Sequence, residues 1–205
     1  MDTVASPAFI DQIKQAQSAM QAGQFEAAGA FAQSVLDTDP DHRDALYVAA
    51  VAARYQNNRP DAETFLTRLK QAVPEYGRAF QEEGHLLKSS GDISAALAAF
   101  QMATRYNPAL LASWKAPVDL LRAAGRQPAA VQAQAQLDRI KALPRELVAV
   151  TNHLLEGRIL RAEEIARAFL RKQPQHIEGM RLLADIGIRL GVLEDAEFLL
   201  ETAIE

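Results

Sequence analysis

Gly23, Asn57, Gly91 and Gly125 stand 34 residues apart, and Pro40, Pro74 and Pro108 repeat the same step. After one interval of 32 residues, Gly157 and Gly191 resume it, with Pro174 in register. A period of this length means that one supersecondary unit is copied along the chain, each copy too small to bury its apolar face alone. The chain is therefore constrained to a stack of helical hairpins. Function is expected on surfaces rather than in a catalytic cleft.

Other positions recur with the same beat. An alanine follows each Gly or Asn by five residues, at Ala28, Ala62, Ala96, Ala130, Ala162 and Ala196. Phe25, Ile93, Ile159 and Leu193 follow by two. A Gly or Asn ends the first helix of a hairpin by taking the left-handed conformation that other residues reach only with strain. The alanine marks where two helices must approach closely, and the Pro stops the second helix. Six units result, at 9–42, 43–76, 77–110, 111–142, 143–176 and 177–205.

The departures are local. Pro60 and Pro128 fall in the first turn of second helices, where proline is tolerated. Pro117 lies inside the first helix of unit four, which predicts a kink and a lost bond to the Ser113 carbonyl. The second helix of that unit, Gln-rich from Gln132 to Gln136, lacks its closing Pro and reads as two residues short. A bend is expected around 141–144, dividing units one to four (1–142) from units five and six (143–205) within one continuous solenoid.

Gly84, Ala96, Phe100, Ala103, Pro108 and Trp114 fall on the consensus places of the tetratricopeptide repeat, which the chain resembles over essentially its whole length. The resemblance implies an all-α, right-handed solenoid of about six helix-turn-helix repeats that binds a protein or peptide partner.

Composition fits a soluble core-forming chain, 49% hydrophobic and 23% charged. A net charge of −4 argues against a nucleic-acid surface. No apolar run is long enough to span a membrane, and Met1–Gln17 lacks the basic and apolar regions of a secretory signal. Cysteine is absent, which removes disulfides and thiolate chemistry and fits a cytoplasmic setting.

Catalytic and metal signatures are missing from the pattern. His42 and His176 occupy equivalent turns after Pro40 and Pro174, His153 falls at a packing place, and no histidine pair has i, i+4 ligand spacing. Glu82–Glu83 and Glu163–Glu164 are adjacent on helices and read as solvated faces. No phosphate-cradling glycine loop occurs, and Trp114 reads as a packing aromatic. No catalytic, cofactor or metal residue is assigned.

Helical phase places Tyr47, Arg54, Tyr55, Arg78, Gln81, His85, Lys88, Lys115, Asp119 and Arg122 on the inner face of the first helices of units two to four. Five cations and two tyrosines there contrast with the acidic chain, and they predict a groove for an acidic peptide or a carboxylate. The alternative is a basic face that serves only solubility. The Lys, Asn and Arg pattern with which some tetratricopeptide domains clamp chaperone carboxylates is not matched. Its places read Ile13, Gln17, Val48, Arg78 and Glu82 in one frame, and Tyr47, Val51, Glu82, Ala112 and Ala116 in the next.

The sixth unit stops before its Pro is due, and no polar capping helix follows. That end points to a fragment of a longer protein, or to self-association through the uncapped repeat. Leu-Leu-Glu-Gly at 154–157, His-Ile-Glu-Gly-Met-Arg-Leu-Leu-Ala at 176–184 and Leu-Gly-Val-Leu-Glu-Asp-Ala-Glu at 190–197 make 144–204 resemble the repeat region of bacterial tetratricopeptide sulfotransferases. This resemblance implies a parent enzyme that uses 3′-phosphoadenylyl sulfate. The family's Pro-Arg-Ser-Gly-Thr nucleotide loop does not occur here, so transfer chemistry would lie beyond Glu205. A free-standing adaptor remains the competing expectation.

Overall fold

The residues expected to end each first helix are left-handed in the computed structural model, which describes residues 7–194, 196, 197 and 201. At Gly23, Asn57, Gly91, Gly125, Gly157 and Gly191, φ lies between +59° and +83°. Each allows the next N–H to reach back to a carbonyl five residues earlier: Gln24 to Ala19, Asn58 to Ala53, Asp92 to Leu87, Arg126 to Leu121, Arg158 to His153 and Val192 to Gly187, at 2.8–3.1 Å. This is the Schellman closure, which satisfies carbonyls that the helix end leaves bare.

Between the turns run eleven helices among the described residues, and no strand. First helices are α1 (Pro7–Gln21), α3 (Arg43–Tyr55), α5 (Gly77–Ser89), α7 (Leu111–Ala123), α9 (Arg145–Leu155) and α11 (Ile177–Leu190). Second helices are α2 (Phe25–Leu36), α4 (Arg59–Ala72), α6 (Ile93–Tyr106), α8 (Gln127–Lys141) and α10 (Ile159–Leu170). They form two compact units, Met1–Arg105 and Tyr106–Glu205.

In the first unit α1 packs on α2 and α3 on α4, while α1, α3 and α5 also touch in succession, so first helices share one face. Ala16, Ala28, Ala32, Leu46, Ala62 and Leu69 belong to its core. In the second unit α7 packs on α8, and α9 on α10 and α11. Leu147, Val150, Ala162, Phe169 and Ile186 are central to the core there. All six alanines of the repeat are at most 2% exposed, as close helix approach requires. Gly84 serves the same need between α5 and α6, since an added Cβ would meet the Phe100 ring at 2.8 Å.

Helix starts use the residues the turns supply. Nδ1 of His42 accepts from the Ala45 N–H, and Nδ1 of His176 from the Gly179 N–H, each at 3.2 Å. The recurring histidines are therefore N-caps, a role their place after the prolines had not revealed. Asn58 and Asp92 cap α4 and α6 in the same way. Pro60 and Pro128 sit in the first turns of α4 and α8.

The two missing residues do not shorten α8, which has 15 residues. They are removed from the three-residue link 142–144 and from α9, which has only 11. Pro144 takes the N-cap place of α9. Helix α7 continues through Pro117, with Ser113 fully buried.

The turn geometry makes a direct prediction. An added Cβ at Gly91 would meet nothing within 4 Å, so only the left-handed backbone penalises a side chain there. Gly91→Ala should cost about 1–2 kcal/mol in urea unfolding, whereas Asn57→Gly should be neutral or stabilising.

Candidate functional site

The residues that helical phase assigns to the inner face lie on first helices. Tyr47, Arg54 and Tyr55 lie on α3, and Arg78, Gln81, His85 and Lys88 on α5, all in the first unit. Lys115, Asp119 and Arg122 lie exposed on α7 of the second unit. Arg122 donates to Oε1 of Gln134 on α8 at 3.1 Å. Trp114 donates its indole N–H to the Pro108 carbonyl at 2.9 Å.

The charge of the α3–α5 face is not the sum of its cations. Arg54 Nε donates to Glu82 Oε2 at 2.7 Å, and Glu82 is only 4% exposed. Glu82 therefore does not belong to a solvated helix face, contrary to the expectation from its pairing with Glu83. Its phase shows why, because Ala79, Glu82 and Leu86 follow the i, i+3, i+7 spacing of the buried stripe. A carboxylate in that stripe must be paired, and the cation comes from the preceding repeat. Gln81 Nε2 approaches the other Glu82 oxygen at 3.5 Å. Glu83 accepts from Lys70 Nζ of α4 at 2.6 Å.

Arg54 is also held by aromatic rings. Its guanidinium lies 4.2 Å from the Tyr55 ring centre, and Tyr55 stacks on Phe25 of α2 at 4.0 Å with an interplanar angle of 4°. Phe25, Tyr55, Arg54 and Glu82 thus form one layered contact across three successive hairpins. Arg78 lies 5.8 Å over Tyr47, and Tyr47 meets Tyr76 edge-on at 5.9 Å. Lys88 is exposed.

Burial works against the Arg54 charge, but Glu82 and the hydrogen bonds around the guanidinium outweigh it and hold the group above its ordinary value. His85 behaves oppositely. Burial pushes its imidazole down from the ordinary 6.5; Glu82 opposes the shift, and Arg54 and Lys88 add to it. The ring packs edge-on against Phe100 of α6 at 5.1 Å.

Arg54, Tyr55 and His85 converge with Asn57, Arg59 and Ser89 on a pocket of about 290 Å³. Among the described residues, no carboxylate lines it. Asn57, Arg59 and Ser89 were absent from the phase-based row because they come from a turn, the next helix start and a helix end. Among the described residues, no group of His, Asp and Glu could hold a metal ion, and no helix is long and apolar enough to cross a membrane.

The repeated hairpin, its Schellman turns and its buried alanines coincide with a match of 19–83 to the tetratricopeptide repeat model. No curated protein matches the chain in sequence. Similar solved structures include pilF of Pseudomonas aeruginosa, 16% identical with a TM-score of 0.60, covering 94% of this chain and 88% of that one. A thermophilic tetratricopeptide protein of Thermus thermophilus is also 16% identical, with a TM-score of 0.58 and coverage of 88% and 99%. MamA is 15% identical with a TM-score of 0.54, covering 96% and 90%. These likenesses show the tetratricopeptide fold over most of the chain.

Two predictions concern the site. Arg54→Met should destabilise the protein by about 3 kcal/mol because it strands a buried carboxylate, and adding Glu82→Leu should recover most of that loss. Chemical denaturation of the two single variants and the double variant checks this. For His85, the unfolded state binds a proton first as pH falls below 6.5, so stability conferred by the neutral ring is lost on acidification. Thermal melts at about pH 7.5 and about pH 5.5 should show a smaller drop in Tm for His85→Gln than for the parent chain.

Proposed function

We propose that this chain is a protein-interaction scaffold that docks an extended segment of a partner along the first-helix face of its first unit. The observation that carries this reading is the continuous α1, α3 and α5 face, on which Tyr47, Arg54, Tyr55, Arg78 and His85 stand beside a pocket whose described lining holds no carboxylate. Helical repeats present broad surfaces of this kind, and rigid rings beside arginines supply contact area at low entropic cost. One solved relative in fold, Naa15/Naa10, is described bound to HypK-THB, which is consistent with partner binding by such repeats.

The partner segment is acidic in this reading. Arg54 is committed to Glu82, but exposed Lys88 also stands on the face, and no described acid lines the pocket. Self-association is the alternative occupant. Analytical ultracentrifugation separates the two, since an adaptor for acidic segments stays monomeric as its concentration rises, whereas a self-associating chain does not.

The likeness of 144–204 to sulfotransferase repeats supports a second reading. In it these repeats present a protein substrate for sulfate transfer from 3′-phosphoadenylyl sulfate. The residues of this chain do not fit that nucleotide: the Pro-Arg-Ser-Gly-Thr loop is missing, and the described residues form only helices and turns. No step of transfer is assigned to them.

The scaffold reading is tested with a fluorescein-labelled, glutamate-rich peptide. Combining Arg78→Glu with Lys88→Glu should weaken its binding about tenfold and flatten its dependence on salt between low and physiological ionic strength. Both substitutions leave the Arg54–Glu82 pair intact. Unchanged affinity would remove this face as the docking site.

A further inference from the structure

The pocket beside Arg54 is lined by two arginines and, among the described residues, by no carboxylate. Arg54 gives its Nε–H to Glu82, and Arg59 gives its Nε–H to Glu63 at 2.6 Å. A guanidinium carries five N–H donors, so both arginines retain donors for a further acceptor. Asn57 and Ser89, also in the lining, are uncharged. Tyr55, clamped between Phe25 and Arg54, holds one wall in place.

His85 lines the same pocket. The charged groups acting on it are Glu82 and Lys88 of its own helix and Arg54 of α3, while α6 offers it the Phe100 ring. Burial, opposed by Glu82 and helped by Arg54 and Lys88, shifts the ring toward its neutral form in the free protein. A negative charge entering the pocket reverses that balance, because an opposite charge a few ångströms away favours the protonated form. Binding of the anion and uptake of a proton are then linked, each strengthening the other.

We propose that this pocket takes a glutamate or aspartate side chain of the bound polypeptide, and that His85 gains a proton as the carboxylate enters. The inference rests on the scaffold reading and adds to it a specific anchor and a pH dependence. Affinity for the partner rises as pH falls toward about 6, provided the chain remains folded.

Isothermal titration calorimetry of the full chain with capped hexaglutamate tests the proposal, because both peptide ends are blocked and only side-chain carboxylates are offered. Binding should be about threefold tighter at about pH 6 than at about pH 7.5, with a heat that varies with buffer ionisation as a proton is taken up. Circular dichroism at both pH values checks the fold. His85→Gln should bind with the same affinity at both, and Ser89→Trp, which fills the pocket, should weaken binding about tenfold. Binding without proton uptake, pH dependence that persists in His85→Gln, or indifference to Ser89→Trp would each overturn the inference while leaving the scaffold reading intact. Hexaglutamate binding no better than capped hexaglutamine would overturn both.

Discussion

The structure depends first on a backbone constraint at six places. Each first helix can fold back on its second only if one residue adopts positive φ, since the Schellman bonds need that reversal. Five of those residues are glycine and one is Asn57, the residue type that tolerates the left-handed region next best. Everything else about the hairpin follows from the reversal. The helices approach closely, the fifth residue on must be small, and the alanine column is buried. Stability then comes from repeated local closures and nearest-neighbour packing rather than from one large core.

Local rules of this kind are why the fold was legible in the sequence. Turn residues, small residues and prolines act within a few positions of themselves, so their spacing transmits structure without knowledge of tertiary contacts. Where the beat faltered, local rules offered less guidance. A deletion of two residues is visible as a shortened interval, but only packing decides which element absorbs it. The chain kept α8 long and shortened the link and α9. The histidine caps were legible as a recurring position and not as a role, because histidine is an uncommon choice for that place.

The candidate site was read less completely, for a physical reason. Of the residues of α3 and α5 that helical phase assigns to the inner face, Arg54, Tyr55 and His85 line one pocket, and the environment of His85 is the most informative there. Counting cations overstated the charge, because the count did not reveal that Arg54 neutralises a buried carboxylate. The clue was Glu82 itself, an acid in an apolar stripe. Pocket residues at turns and helix ends, such as Asn57 and Ser89, escaped because the inner-face phase does not extend to the places where helices begin and end.

Repeat proteins are ordinarily modular, since one copy can be exchanged for another that keeps the same neighbour contacts. The Arg54–Glu82 pair withdraws that freedom from the second and third hairpins. A replacement for either copy that followed only the family consensus would leave a charge buried without its counterpart. These two repeats are therefore bound to change together or not at all, and Phe25 and Tyr55 extend the obligation to the first. In an array built from interchangeable parts, the front of this chain behaves as a single heritable piece.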